Sequence, residues 1–214
     1  MKSVRVFFEK TGDLKFVSHL DLNRFMIRMV RLSGIPVWYS EGFNPHPYIT
    51  FALPLSLGFE STYEIMDIRL DDDDYPCSEV FNNLCVKLPK GLKMTSCCEP
   101  VMKSGDVAYA KFVLDFGDGF SAFADKLKEF MMSRSIIAEK RTKKGGLKTV
   151  DLQEMIHSWS FTENGIELVL AAGGSNNLNP KLLIETFGEK SGTDLPLYSV
   201  TRVGLYNSKM ELFV

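Results

Sequence analysis

Apolar positions along the chain follow two periods, one of about two residues and one near 3.6. Residues 4–8 are β-branched or aromatic except for Arg5, and they run into the turn Thr11-Gly12-Asp13, which predicts a first strand. Ser18 stands three residues before Asp21, a capping-box-like start. Leu22, Phe25, Met26, Met29 and Val30 follow at helical spacing, so a helix is predicted over 18–33, stopped by Gly34 and Pro36. Residues 35–39 read as a second strand, with further extended segments at 48–53 and 64–70. A second helix is predicted over 77–88, ended by Pro89-Lys90-Gly91, and a strand over 92–98. The order then recurs, with a strand at 107–116, a helix at 120–133 and a strand at 135–142. Residues 149–161 are ambiguous, and 166–171 is a strand after the turn Glu163-Asn164-Gly165. Asn179-Pro180 opens a helix to about 187, with Pro at its first position, and 199–206 is the last strand.

Both halves therefore spell βαββαβ, the ferredoxin-like order, in which two helices cover one face of an antiparallel sheet. The expected fold is α+β, with two tandem ferredoxin-like domains at 1–99 and 106–214. Between them lies a short stretch containing Pro100, Ser104 and Gly105. No residue-level repeat accompanies the repeated element order.

Composition narrows the class. With 214 residues, 45% hydrophobic and 24% charged, the chain can bury a core without disulfides or metal, and dominant disorder is excluded. No apolar run approaches the ~20 residues of a membrane-spanning helix, and Lys2, Arg5 and Glu9 interrupt any signal-peptide pattern. Four cysteines, two of them adjacent, do not form a disulfide framework, so a reducing cytoplasm is expected. The net charge of −2 hides an uneven distribution: residues 60–79 carry eight acids against one base, and 134–148 six bases against one acid. A basic patch able to attract phosphate is compatible with that balance.

Candidate chemistry lies in three places. Arg24, Arg28 and Arg31 are spaced four and three apart and share a helix face. They fit a stripe for phosphate, with Ser18 and the helix N-terminus adding anion donors, and equally a solvated face on which Asp21 pairs with Arg24. The loop 41–47 holds Pro45 and Pro47, which stiffen it, so Glu41, Asn44 and His46 form either a ligand clamp or a structural corner. Arg141, Lys143 and Lys144 mark a basic hairpin tip, a phosphate contact or a guard against edge pairing. His19 and His46 have the chemistry of a general base and acid for metal-free RNA cleavage, but their spacing guarantees no proximity. Asp71 to Asp74 read as a solvated turn, and His157 beside Trp159 as a packing residue. There is no phosphate-loop, H-E-x-x-H or C-x-x-C pattern, so neither a metal nor a cofactor is expected.

Residues 10–22 (KTGDLKFVSHLDL) and 39–47 (YSEGFNPHP), continuing into 51–55 (FALPL) and Gly58, form a distinctive pair of blocks. They resemble the radical SAM-linked bacterial family, a domain of unknown function, and the stretch 141–152 with Lys144-Gly145 and Val150-Asp151-Leu152 resembles its second block. In that family the domain is fused to, or encoded beside, a radical SAM protein, often near a ribonuclease of the G/E type. The resemblance thus implies a radical SAM protein as partner. This chain lacks the C-x-x-x-C-x-x-C triad of such a catalyst, which places it as the companion. It also departs from the family in having Asn179, not Arg, before the helix-opening Pro180. The element order is similar to that of CRISPR repeat-processing endonucleases, some of which use a His near the first helix, but their C-terminal glycine-rich loop is missing here. The expected function is an accessory RNA-binding module acting with a radical SAM partner in RNA modification or processing, not catalytic by itself. The alternatives are a metal-independent endoribonuclease using His19 or His46, and a protein–protein adaptor.

Overall fold

The computed structural model of the chain describes residues 2–86, 88–141, 147–174 and 176–214. Its N-terminal half contains β1 (Ser3–Lys10), α1 (His19–Leu32), β2 (Ile49–Phe51), β3 (Glu60–Arg69), α2 (Cys77–Leu84) and β4 (Leu92–Cys98). β1 pairs antiparallel with β3 and β4, and β2 with β3, giving the order β4-β1-β3-β2. Val4, Val6 and Phe8 of β1, with Met66 and Ile68 of β3, share one buried cluster with Leu22, Met26 and Val30 of α1 and Val80 and Leu84 of α2. Both helices therefore cover the same face, as the period-two and period-3.6 patterns require.

The C-terminal half contains β5 (Tyr109–Asp115), α3 (Ala124–Met131), β6 (Ile137–Arg141), β7 (Leu147–Asp151), β8 (Ile156–Phe161), β9 (Gly165–Ala171), α4 (Pro180–Ser191) and β10 (Ser199–Tyr206). Its strand order is β10-β5-β9-β8, the path of the first half again, with the β6–β7 hairpin as a separate insertion. The architecture is α+β with a mostly antiparallel sheet.

Two separate sheets were expected, but there is one sheet of eight strands. β2 covers only the 66–68 end of the β3 edge, which leaves Glu60 and Ser61 free to pair in parallel with Thr201 and Arg202 of β10. The strand expected at 35–39 is reduced to isolated bridges from Val37 to Leu70 and Tyr39 to Pro47, because Pro36 and Pro47 supply no ladder donors. The helix expected over 120–133 is split into a 3-10 turn at Gly117–Ala122 and α3, and the second helix stops at Leu84. The ambiguous stretch becomes β7 and β8, separated by a 3-10 turn at Gln153–Met155.

On the face of β1 away from its helices, Arg5 is fully buried. It makes a bidentate pair with Asp67 at 2.7 and 2.8 Å, and the chain's C-terminal end lays Phe213 over the guanidinium at 4.5 Å. None of the helices among the described residues is long and apolar enough to cross a membrane.

Candidate nucleic-acid interface

α1 is positioned by its cap and its stripe. The Ser18 hydroxyl accepts from the Asp21 amide at 3.1 Å and donates to the Asp21 carboxylate at 2.7 Å, so the cap is closed by the helix's own acid. Leu22, Met26 and Val30 bury one face, and Arg24, Arg28 and Arg31 are exposed on the other. Arg24 donates to Asp21 at 3.1 Å, an exposed pair of small energetic weight. Arg28 opens onto a groove of about 420 Å³ between α1 and α2, lined also by Phe25, Leu32 and Val86. Arg31 donates to the Pro45 carbonyl at 3.1 Å and sits 6.0 Å from the Tyr39 ring centroid. The arginine stripe and the 41–47 loop are thereby one surface.

That loop is closed on itself. The Ser40 amide donates to the His46 carbonyl at 2.9 Å, and the His46 amide donates to the Ser40 hydroxyl at 3.2 Å. His46 Nδ1 lies 3.0 Å from Ser40 Oγ and 3.2 Å from the Asn44 carbonyl oxygen. His46 thus forms a corner, with Glu41 and Asn44 exposed beside it. Gly42, at φ +123°, lets the chain turn, and Phe43 projects fully into solvent at the tip. Trp38, Tyr48 and Arg69 form a second aromatic platform that sequence reading missed. The Arg69 guanidinium is 5.1 Å from each ring centroid, and the two rings meet edge to face at 5.5 Å. Three separate segments supply these residues, so no local pattern announces them.

His19 opens α1 in different surroundings from His46. It meets Phe51 edge to face at 4.9 Å, and no hydrogen bond or ring contact joins the two histidines among the described residues. Burial holds the His19 pKa below the ordinary histidine value; the Arg202 and Lys10 charges add to that depression, and Glu64 opposes it. Arg141 ends β6, whereas Lys143 and Lys144 lie outside the described residues.

Behind His19 lies a buried ionic group. Arg202 donates to Glu64 through Nε at 3.1 Å and through a terminal nitrogen that also donates to the Leu53 carbonyl at 2.8 Å. Its other terminal nitrogen reaches the Pro54 carbonyl at 3.4 Å. Lys10 is 1% exposed and lies close enough to feel both charges. The sequence carries a signal for Lys10, which extends the inward alternation Val4, Val6, Phe8 by one charged step.

No curated protein matches the chain. One family model does match, covering residues 3–180, a span that includes α1, the 40–48 corner, Lys10 and Glu64. A match over more than half of its length assigns the chain to that bacterial family, described as an uncharacterized protein conserved in bacteria (DUF2344).

Proposed function

We propose that this protein is an accessory RNA-binding module that works in the bacterial cytoplasm with a radical SAM partner, in RNA modification or processing, without catalysis of its own. One observation carries the reading: exposed Arg31, on the helix face that also carries Arg24 and Arg28, lies against exposed Tyr39 and donates to the Pro45 carbonyl of the loop whose tip is the exposed Phe43. Exposed rings are stacking platforms for unpaired bases, and neighbouring arginines meet the phosphates that connect those bases. Solvent-exposed aromatic rings at a loop tip contribute nothing to the core, which argues for a partner with flat apolar faces. The radical SAM partner is supported by the sequence blocks at 10–22 and 39–47, which lie on and next to this surface. The finer fold reading, a ferredoxin-like unit in each half, is supported by the repeated strand path and, in the first half, by both helices on one face.

Titration of single-stranded RNA against the protein across a salt series tests the proposal. The variant R24Q/R28Q/R31Q should bind more weakly, with a salt slope shallower by about two, since each lost single-strand phosphate contact is worth ~0.7. Phe43→Ala should weaken binding by about 1–3 kcal/mol at an unchanged slope, because it removes stacking and no charge. An adaptor would show no RNA affinity in any of these proteins, and an unchanged slope in the triple variant would leave the arginines as a solvated face.

A further inference from the structure

The four cysteines of the chain are free thiols, and the fold brings two of them together. Cys77 is the first residue of α2, and Cys97 lies near the end of β4. β4 pairs with β1 so that Cys97 stands opposite Val6 and Cys98 opposite Arg5. Residues directly opposite in an antiparallel ladder share a face, and neighbours along a strand point to opposite faces. Val6 belongs to the apolar cluster beneath α1 and α2, and both Cys77 and Cys97 pack against that cluster. Cys98 packs against the other cluster, on the far side of the sheet. Adjacent in sequence, Cys97 and Cys98 are thus separated by the pleat.

Cys77 and Cys97 both line an open cleft of about 310 Å³ between α2 and β4. There the two thiols are within hydrogen-bonding reach of each other, and each is half-buried. Ser78, Asn82, Thr95 and Ser96 surround the sulfurs with hydroxyl and amide groups, a lining suited to a polar, peptide-like reagent. Cys85 caps the opposite end of α2, about 12 Å along the helix from Cys77 and beyond the span of a disulfide.

We propose that Cys77 and Cys97 form a reversible dithiol–disulfide site that reacts with low-molecular-weight, peptide-like disulfides. Burial pushes the Cys97 thiol up, with the Cys77 and Cys98 sulfurs adding to the rise and Lys2 opposing it, so the first attack falls to Cys77. The Cys77 thiolate attacks one sulfur of the reagent, the reagent's S–S bond breaks, and one small thiol leaves. Cys97 then attacks the Cys77 sulfur of the mixed disulfide and displaces the second small thiol. The protein dithiol is oxidised to a disulfide, and the reagent is reduced to two thiols that carry away both protons. The closing step is intramolecular between sulfurs that the fold already holds together. The linkage ties the start of α2 to β4 and involves neither the arginine stripe nor the 41–47 corner, so this inference goes beyond the RNA reading and does not depend on it.

Oxidised glutathione is the probe that tests the assignment. The reduced full chain is incubated with an excess of it, alkylated, and digested without reductant for peptide mass spectrometry. Cys77 should be found joined to Cys97, and dithiothreitol should release the linkage. Cleavage after Phe81 separates Cys77 from Cys85, and fragmentation between Cys97 and Cys98 identifies the partner, so the unaltered protein suffices. Cys97→Ser should arrest the reaction at a glutathione adduct on Cys77, at least tenfold more abundant than in the parent. Cys85→Ser and Cys98→Ser should leave the linkage in place. No linkage in the parent, a linkage through Cys85 or Cys98, or a parent adduct on Cys77 that never closes onto Cys97 would each overturn the proposal.

Discussion

Arg5 and Arg202 are buried with carboxylate partners, and Lys10 is buried within reach of the Glu64 and Arg202 charges. Asp67 meets Arg5 with two short hydrogen bonds and also accepts from Ser104 at 3.1 Å, so the carboxylate is well compensated. Nη1 of Arg5, in contrast, is buried with no hydrogen-bond partner among the described residues. His19 stands at the edge of the other group, and its depressed pKa has a consequence for stability. Because the folded imidazole takes up its proton at lower pH than the unfolded one, the unfolded state binds more protons in the window below the unperturbed value of about 6.5. Stability therefore rises with pH through that window and is lost on acidification. The urea midpoint of the parent should fall between pH 7 and pH 5 by more than that of His19→Gln. Identical pH dependence in the two proteins would show that His19 is not the titrating group.

At the scale of elements, register is guarded by backbone approach. Gly165 opens β9 opposite Asp115 of β5, and a Cβ there would overlap the Leu114 carbonyl oxygen and stand 3.2 Å from the Asp115 Cα. Those are backbone atoms, so the strand pair itself must shift. Gly165→Ala should cost about 1–3 kcal/mol, the usual range for overpacking, read as a lower urea midpoint. Gly105→Ala meets nothing within 4 Å and should change stability by less than about 0.5 kcal/mol. Equal effects at the two sites would remove the steric argument. Elements of this kind differ in how openly the sequence shows them. The last strand is legible at both ends, since 199–206 matches its observed bounds although its alternation breaks at Gly204-Leu205, and α1 is legible because its stripe and cap agree. The 35–39 segment has strand propensity but no ladder, because its prolines deny it donors and local propensity does not report that. Residues 149–161 were unreadable for a different reason, since one run serves two strands with different partners, β7 on β6 and β8 on β9. The candidate site follows the same rule. Arginines spaced along one helix announce themselves, whereas Trp38, Tyr48 and Arg69 converge only once β3 and the corner are in place.

At the scale of the molecule, the two halves meet through two parallel residue pairs between β3 and β10 and through an apolar cluster that joins Phe7, Leu55, Phe59 and Ile65 to the C-terminal half. The Glu64–Arg202 pair crosses this junction with side chains almost wholly removed from water. Breaking a buried pair by removing one member typically costs about 3–5 kcal/mol, because the other charge stays buried and uncompensated. Here the cost should be unequal. Glu64→Gln leaves Arg202 and Lys10 together with no carboxylate between them, so it should show the full cost, much of the ~5–15 kcal/mol that stabilises a typical domain. Arg202→Met frees Glu64 for Lys10, which already feels its charge, so the loss should be smaller and the Lys10 pKa should rise. Urea unfolding of both variants and of Lys10→Met/Arg202→Met separates these effects. The double variant strands Glu64 alone and should be less stable than Arg202→Met by itself. If Glu64→Gln costs no more than Arg202→Met, the three residues do not act as one electrostatic unit, and the halves are held by the β3–β10 pairing and the apolar cluster.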